Sequence, residues 1–153
     1  MQYSQIMDMV ERLIGISQRA DYHPEGDAFR HSLQVFHHAL RESGDLSVVV
    51  AALTHDVGKA TMPIGHEEEG ARMLEGLVSE KTVWLVRNHI RVRYLINGDT
   101  KRLSKVQELL MNPWFPDLVM LARWDKMGRN ANHHIEYDRE KIIARLQTLD
   151  TDK

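Results

Sequence analysis

The sequence predicts an all-α fold, a compact helical bundle forming one domain over residues 1–153. Three observations carry this expectation. Apolar residues recur at three- and four-residue steps along most of the chain. Almost nothing alternates as a half-buried strand would, and Gly, Pro and Asn-Gly breakers fall between the periodic stretches.

Residues 2–19 place Ile6, Met9, Val10, Leu13, Ile14 and Ile16 at helical spacing, which predicts a core-facing first helix. Pro24 and Gly26 then break the chain, and Asp27 is positioned to cap a helix over 28–43, with Phe29, Leu33, Phe36 and Leu40 as its stripe and Gly44 as its stop. The run LSVVVAALT (46–54) has the β-branched content of a buried strand. Its two alanines, the Asp45 cap and the lack of a second strand to pair with favour a buried helix. After Gly58, Pro63 and Gly65, the stretch HEEEGARMLEGL opens another helix with three acids in its first turn, where the helix dipole favours them. Further helices are expected over about 80–92, 102–111, 117–127 and 135–148, separated by Asn97-Gly98, by Asn112-Pro113 with Pro116, and by the polar stretch after Arg129.

Composition narrows the function. The apolar share is 42%, the charged share 27% and the net charge −2, values that argue against disorder and against a broad grip on nucleic acid or anionic membrane. No run reaches the ~18 apolar residues of a spanning helix, and the acids near the start do not suit a signal peptide. A cytoplasmic location without a membrane partner is therefore expected. There is no cysteine, which excludes disulfides, thiol catalysis and zinc-thiolate sites, whereas histidine appears nine times.

The sharpest local feature is His55-Asp56 at the end of the most apolar helix. Adjacent helical residues point about 100° apart, so both reach one metal only where a helix ends or bends, and Val57-Gly58 permits that. An imidazole nitrogen with a carboxylate oxygen suits Mn, Fe, Co, Ni or Zn better than Mg. Alone, the doublet reads more readily as a polar helix end with a solvated Asp. Its context strengthens the metal reading: His31 lies beside the Leu33 stripe, His66 opens a helix, and His89 sits between Val86 and Ile90. Asp125 falls in an apolar run, where an unpaired carboxylate costs several kcal/mol. A metal ion or a salt bridge to Arg123 or Lys126 would offset that cost.

In order and spacing, His31, His55-Asp56 and Asp125 resemble the HD-domain superfamily of metal-dependent phosphohydrolases, and His66 and His89 resemble its two-metal subset. HPEGDAFRHSL, HDVGK, GHEEEGARML and WDKMGR are most similar to the HD domain of bacterial CCA-adding tRNA nucleotidyltransferases, over about residues 22–130. No nucleotidyltransferase head is recognisable before residue 22, so CCA transfer is not expected here. What the resemblance implies is phosphatase or 2′,3′-cyclic phosphodiesterase action on nucleotides, small phosphate esters or an RNA end. Two divalent ions (Mn, Ni, Co, Fe or Mg) are implied with it. His31, His55, Asp56 and Asp125 would hold one ion and His66 with His89 the second, Asp56 bridging. Asp56, Lys59 and Arg129 are the expected catalytic residues, the two cations as phosphate binders, with Arg91 or Arg93 as further candidates.

A di-iron oxygenase is the main rival, because oxidative members of the superfamily share such a six-ligand set. Tyr22 and Glu25 would then line its substrate pocket. A non-catalytic module stapled by metal is the third reading. His37, His38, His133 and His134 read as surface, and the three tryptophans as core. A basic strip of Arg87, Arg91, Arg93, Lys101, Arg102 and Lys105 is placed to receive an RNA end, and an exposed Trp114-Phe115 would suggest a homodimer.

Overall fold

A computed structural model describes residues 1–99 and 102–151. Among them it has α1 (Tyr3–Glu11), α2 (Ala28–Glu42), α3 (Leu46–Thr54), a 3₁₀ turn (Val57–Ala60), α4 (His66–Leu74), α5 (Glu80–Ile96), α6 (Leu103–Met111), α7 (Phe115–Met127) and α8 (Arg139–Thr151), with no strand. None of these helices is long and apolar enough to cross a membrane.

The run that could have been a strand is the hub. All nine residues of α3 are buried, and α1, α2, α5, α7 and α8 pack around it. A helix apolar on every side is stable only when enclosed on every side. Its start is fixed by Asp45, whose carboxylate accepts from the Ser47 backbone N–H. Asp27 and Ser79 cap α2 and α5 in the same way.

Lys81, in the first turn of α5, ties three helix starts together. Its ammonium lies 2.7 Å from both Asp45 at the cap of α3 and Asp117 in the first turn of α7. These three helices therefore run in one direction from a common end. His55 follows its cap by ten residues, as does His89, and Asp125 follows the Trp114 cap by eleven, so each sits about 15 Å along. Helix α2 returns antiparallel to α3 and brings His31, in its first turn, to that same far end.

The 3₁₀ turn after the doublet abuts α4 with no room to spare. A Cβ on Gly58 would lie 2.0 Å from the His66 carbonyl oxygen and 2.8 Å from the Gly70 nitrogen. Gly58 and Gly70 thus form a seam that draws the His55-Asp56 end of α3 against the helix that starts with His66.

The structure differs from the periodicity at several boundaries. α1 stops at Glu11 rather than near 19, because turn bonds take over at Leu13 and Gly15 adopts a positive φ of 81°. Leu13 stays buried, but Ile14 is exposed. α5 runs to Ile96, and α7 begins at Phe115. α8 begins at Arg139, not 135: residues 133–138 form no regular element and alternate in burial, held by the Gln34 amide, which donates to the Asn130 and His133 carbonyls at 2.8 and 2.9 Å. Trp114 is part-buried and edge-packed on Trp84, with ring centroids 5.9 Å apart, so the exposed Trp114-Phe115 face on which a dimer was expected is not formed.

Gly58→Ala is expected to lower stability by about 2–4 kcal/mol, since backbone rather than a flexible side chain must move. Gly44→Ala, with open space around it, is the control. Thermal unfolding of the two variants checks this; equal midpoints would show that the seam is dispensable.

Candidate metal centre

Four imidazoles and two carboxylates meet at the far end of the bundle, all buried. His55 is the C-terminal cap of α3, and Asp56, just past it, turns into the same space. The two oxygens of Asp56 face different partners. Oδ2 lies 3.3 Å from His55 Nε2 and 3.8 Å from His31 Nε2, while Oδ1 lies 3.1 Å from His66 Nε2 and 3.4 Å from His89 Nε2. Asp125 Oδ1 completes the first group, 2.7 Å from His31 Nε2 and 3.5 Å from His55 Nε2.

Each imidazole is oriented through its other nitrogen. Nδ1 of His55 donates to the Ala52 carbonyl at 2.9 Å, that of His89 to Val86 at 2.6 Å, and that of His66 to Pro63 at 3.3 Å. Nδ1 of His31 is shared between Glu25 and the Gly128 carbonyl, both at 2.8 Å. A proton placed on Nδ1 leaves the Nε2 lone pair for a metal, the arrangement by which outer partners set the tautomer of ligating histidines.

Two sets of three ligand atoms are close enough to share an ion each: His31, His55 and Asp125, and Asp56, His66 and His89. The residues fit divalent metal. His55 Nε2 is buried without a hydrogen-bond partner, and His66 Nε2 faces His89 Nε2 at 3.2 Å, so two acceptor nitrogens meet with only Asp56 beside them. A cation in each set would satisfy these atoms, and the mixed nitrogen and oxygen donors match first-row metals.

In the metal-free chain, protons and basic side chains take part of that role. Burial works to raise the Asp56 pKa, but the charges of His55 and Lys59 hold it well below the usual carboxylate range. Asp125 is likewise held far down against its burial by the bond from His31 and the neighbouring charge of His55. Burial opposes a proton on His55, yet the neighbouring Asp56 and Asp125 carboxylates outweigh it and push the group up to about 10. His31 is raised by Asp125 and Glu25 in the same way, whereas burial and the nearby His55 charge lower His89.

Arg93 donates to Asp125 Oδ2 at 2.6 Å, and Arg129 reaches the Asp125 carbonyl with Nε at 3.3 Å. The alternative partners of Asp125 read from sequence are not its partners: Arg123 lies on Glu42 at 3.5 Å, and Lys126 is exposed. Lys59 sits 3.2 Å from Asp56 Oδ2 and donates to the Gln18 side-chain oxygen at 2.7 Å. Arg91 is exposed and bonded to Asn88. The basic strip divides, because Arg87 is tied to Glu68 and Glu75 on the α4 side while Lys105 pairs with Glu108. Lys101 and Thr100 lie outside the described residues. Tyr22 is exposed under Arg19, and Glu25, bonded to His31, lines a cavity with Asp27, Phe29 and Tyr137 that none of the six candidate ligands lines. His133 is half-buried against His37 and His38, not freely exposed.

Sequence reading missed two partners of His31. Glu25 is fully buried, and its only sequence signal is its place in HPEGD. Gly128 is the residue between Asp125 and Arg129; a Cβ there would lie 2.6 Å from Val35 Cγ2, so glycine lets its carbonyl approach the imidazole.

A folded-state pKa above the unfolded 6.5 means that the His55 proton contributes stability fully below pH 6.5, and that this is lost as pH rises through about 10. His89, shifted the other way, acts only below that window. Chelator-treated protein is therefore expected to melt at progressively lower temperature from pH 6.5 to 10. A flat or rising melting temperature over that range would contradict this electrostatic account.

The HD domain family matches residues 28–146, most of the chain. A multifunctional CCA protein of Dechloromonas aromatica (strain RCB) is 41% identical over 87 residues, covering 52% of this chain and 21% of the relative. Proteins of the same name from Burkholderia pseudomallei (strain K96243) and Burkholderia mallei (strain ATCC 23344) are each 43% identical over 81 residues, 48% of this chain and 20% of theirs. The matched stretch thus spans about a fifth of the length of these relatives. With its buried His and Asp clusters capable of holding divalent metal, and with this match, the chain belongs to the HD domain family, within the superfamily of metal-dependent phosphohydrolases.

Proposed function

We propose that the protein hydrolyses phosphoric esters of nucleotides or other small molecules, 2′,3′-cyclic phosphates among them, using two divalent ions. The observation that carries this reading is the division of Asp56, one oxygen toward His31, His55 and Asp125 and the other toward His66 and His89. A carboxylate so placed could be shared by two ions, for which the four imidazoles and Asp125 would be the remaining ligands. When bound, such ions would supply a water of lowered pKa and offset charge on phosphoryl oxygens.

The chain's own residues complete the arrangement. Burial of all six ligands keeps the site in a low-dielectric surrounding, where each charge acts more strongly than in water. Glu25 and the Gly128 carbonyl hold His31 with Nε2 inward. Lys59, part-exposed and braced by Gln18, is placed to take a phosphate oxygen as a point charge, and Arg129 to take another. The likeness to multifunctional CCA proteins supports a nucleotide, or the end of an RNA, as the ester bound.

Asp56→Ala is expected to reduce phosphate release from 2′,3′-cyclic AMP and an aryl phosphate by at least about a thousandfold. Metal content should fall from two per chain, with the helical circular dichroism retained. Assays with Mn, Ni, Co or Mg should proceed equally with and without oxygen. Wild-type rates in the variant would remove the mechanism. Two bound irons with oxygen-dependent turnover and no phosphate release would establish an oxygenase instead.

A further inference from the structure

Beside the metal centre, the C-terminal half of α5 and one face of α7 diverge to leave a cleft of about 430 Å³. Its charge is unlike that of the chain as a whole. The protein carries a net −2, yet Arg93, Arg123, Lys126 and Arg129 all line this cleft. The only acid among its lining residues is Asp125, whose Oδ1 is engaged by His31 and Oδ2 by Arg93. The cations divide into two pairs by position. Arg93 and Arg129 touch Asp125 and so border the candidate metal ligands. Arg123 and Lys126 are exposed and do not contact Asp125. Lys126 makes no ion pair among the described residues, and the Arg123 pair with Glu42, at 3.5 Å and half exposed, is of the weak surface kind. Between the charges stand Ile96 and Val119, apolar side chains left open to solvent.

We infer that this cleft is the leaving-group subsite, and that it selects phosphate esters whose leaving alcohol carries a second phosphate. The volume falls in the range of small-molecule sites and accommodates a nucleoside. Its apolar wall gives a sugar or base a surface to cover, and guanidinium forks match phosphate oxygens better than any other side chain. Arg93 and Arg129 meet the scissile phosphate, while Arg123 and Lys126 meet the second. This assignment rests on the hydrolytic reading of the site. In that reaction the water oxygen bonds to phosphorus as the ester P–O bond breaks, and a proton from the water ends on the leaving alcohol. That alcohol departs with its second phosphate still attached. A free nucleoside bisphosphate and a 3′-phosphorylated RNA end share this chemistry.

Equilibrium binding by calorimetry on the chelator-treated full chain tests the subsite apart from turnover. The probes are adenosine 3′-monophosphate, adenosine 3′,5′-bisphosphate and a 3′-phosphorylated dinucleotide. The bisphosphate or the dinucleotide should bind about tenfold or more tightly than the monophosphate at low salt, and whichever binds better identifies the source. The double variants Arg123→Ala/Lys126→Ala and Arg123→Glu/Lys126→Glu should each lose that preference, with unfolding midpoints recorded to show that both fold. Equal affinities in the wild type, or a preference that survives in both double variants, would overturn the subsite. Phosphate release from the same probes in manganese reports separately on the hydrolytic reading. A binding preference without release in any metal would support the anion subsite and overturn hydrolysis.

Discussion

The constraint on which the rest of the molecule depends is the burial of two carboxylates, Asp56 and Asp125, at one end of a helical core. A lone buried carboxylate costs several kcal/mol, and an ion pair repays that cost only when geometry and hydrogen bonds are good. Here the compensation comes from every side. α2 supplies His31, α3 supplies His55, α4 supplies His66, α5 supplies His89 and Arg93, and the 3₁₀ turn supplies Lys59. Removing any of these helices leaves charge without a partner, so the polar centre ties the elements together as firmly as the apolar cluster does. Without metal, the proton that Asp56 and Asp125 hold on His55 serves where a cation would. Metal binding must displace it, and this couples metal affinity to pH.

The scaffold meets this constraint by simple means. An enclosed apolar helix gives a rigid axis, and its C-cap, His55, is the first candidate ligand. Lys81 fixes the opposite ends of α3, α5 and α7, so nearly equal offsets from the three caps deliver His55, His89 and Asp125 to one level. The remaining precision comes from close backbone approach. At Gly58 the 3₁₀ turn touches α4, and at Gly128 the end of α7 touches α2. Both glycines have negative φ, so they are required by space rather than by backbone freedom. Each lies within three residues of a candidate ligand, which is where a displacement of a few tenths of an ångström would be felt in the site's geometry.

The helix count and order were legible because periodicity reports burial, and burial is strong in α2, α3 and α5. Boundaries were less legible. The stripe of α1 continues past Glu11 because Leu13 is still buried, although the backbone has already turned. Ile135 looked helical because it is apolar and precedes a helix, yet it lies in an irregular stretch that the side chain of a distant residue, Gln34, holds in place. The six candidate ligands were legible as residue types that an apolar setting does not tolerate alone. Glu25 was not, because a carboxylate in a polar turn carries no such contradiction. Only the folded chain places it, fully buried, behind His31.

By itself the sequence determined what kind of chemistry the interior must accommodate. It has nine histidines, no cysteine, and acids that adjoin apolar runs, Asp56 after LSVVVAALT and Asp125 after LVMLA. The tertiary structure decided which of those groups face one another. It gave Asp125 to His31 and Arg93 rather than to its chain neighbours Arg123 and Lys126, since adjacent helical positions point apart while distant helices converge. It divided a basic strip into a part bonded to α4 and a part bordering a cleft. It also turned the two oxygens of Asp56 toward different histidines. Side-chain direction at a helix end depends on what packs against it, and no local pattern of residues records that.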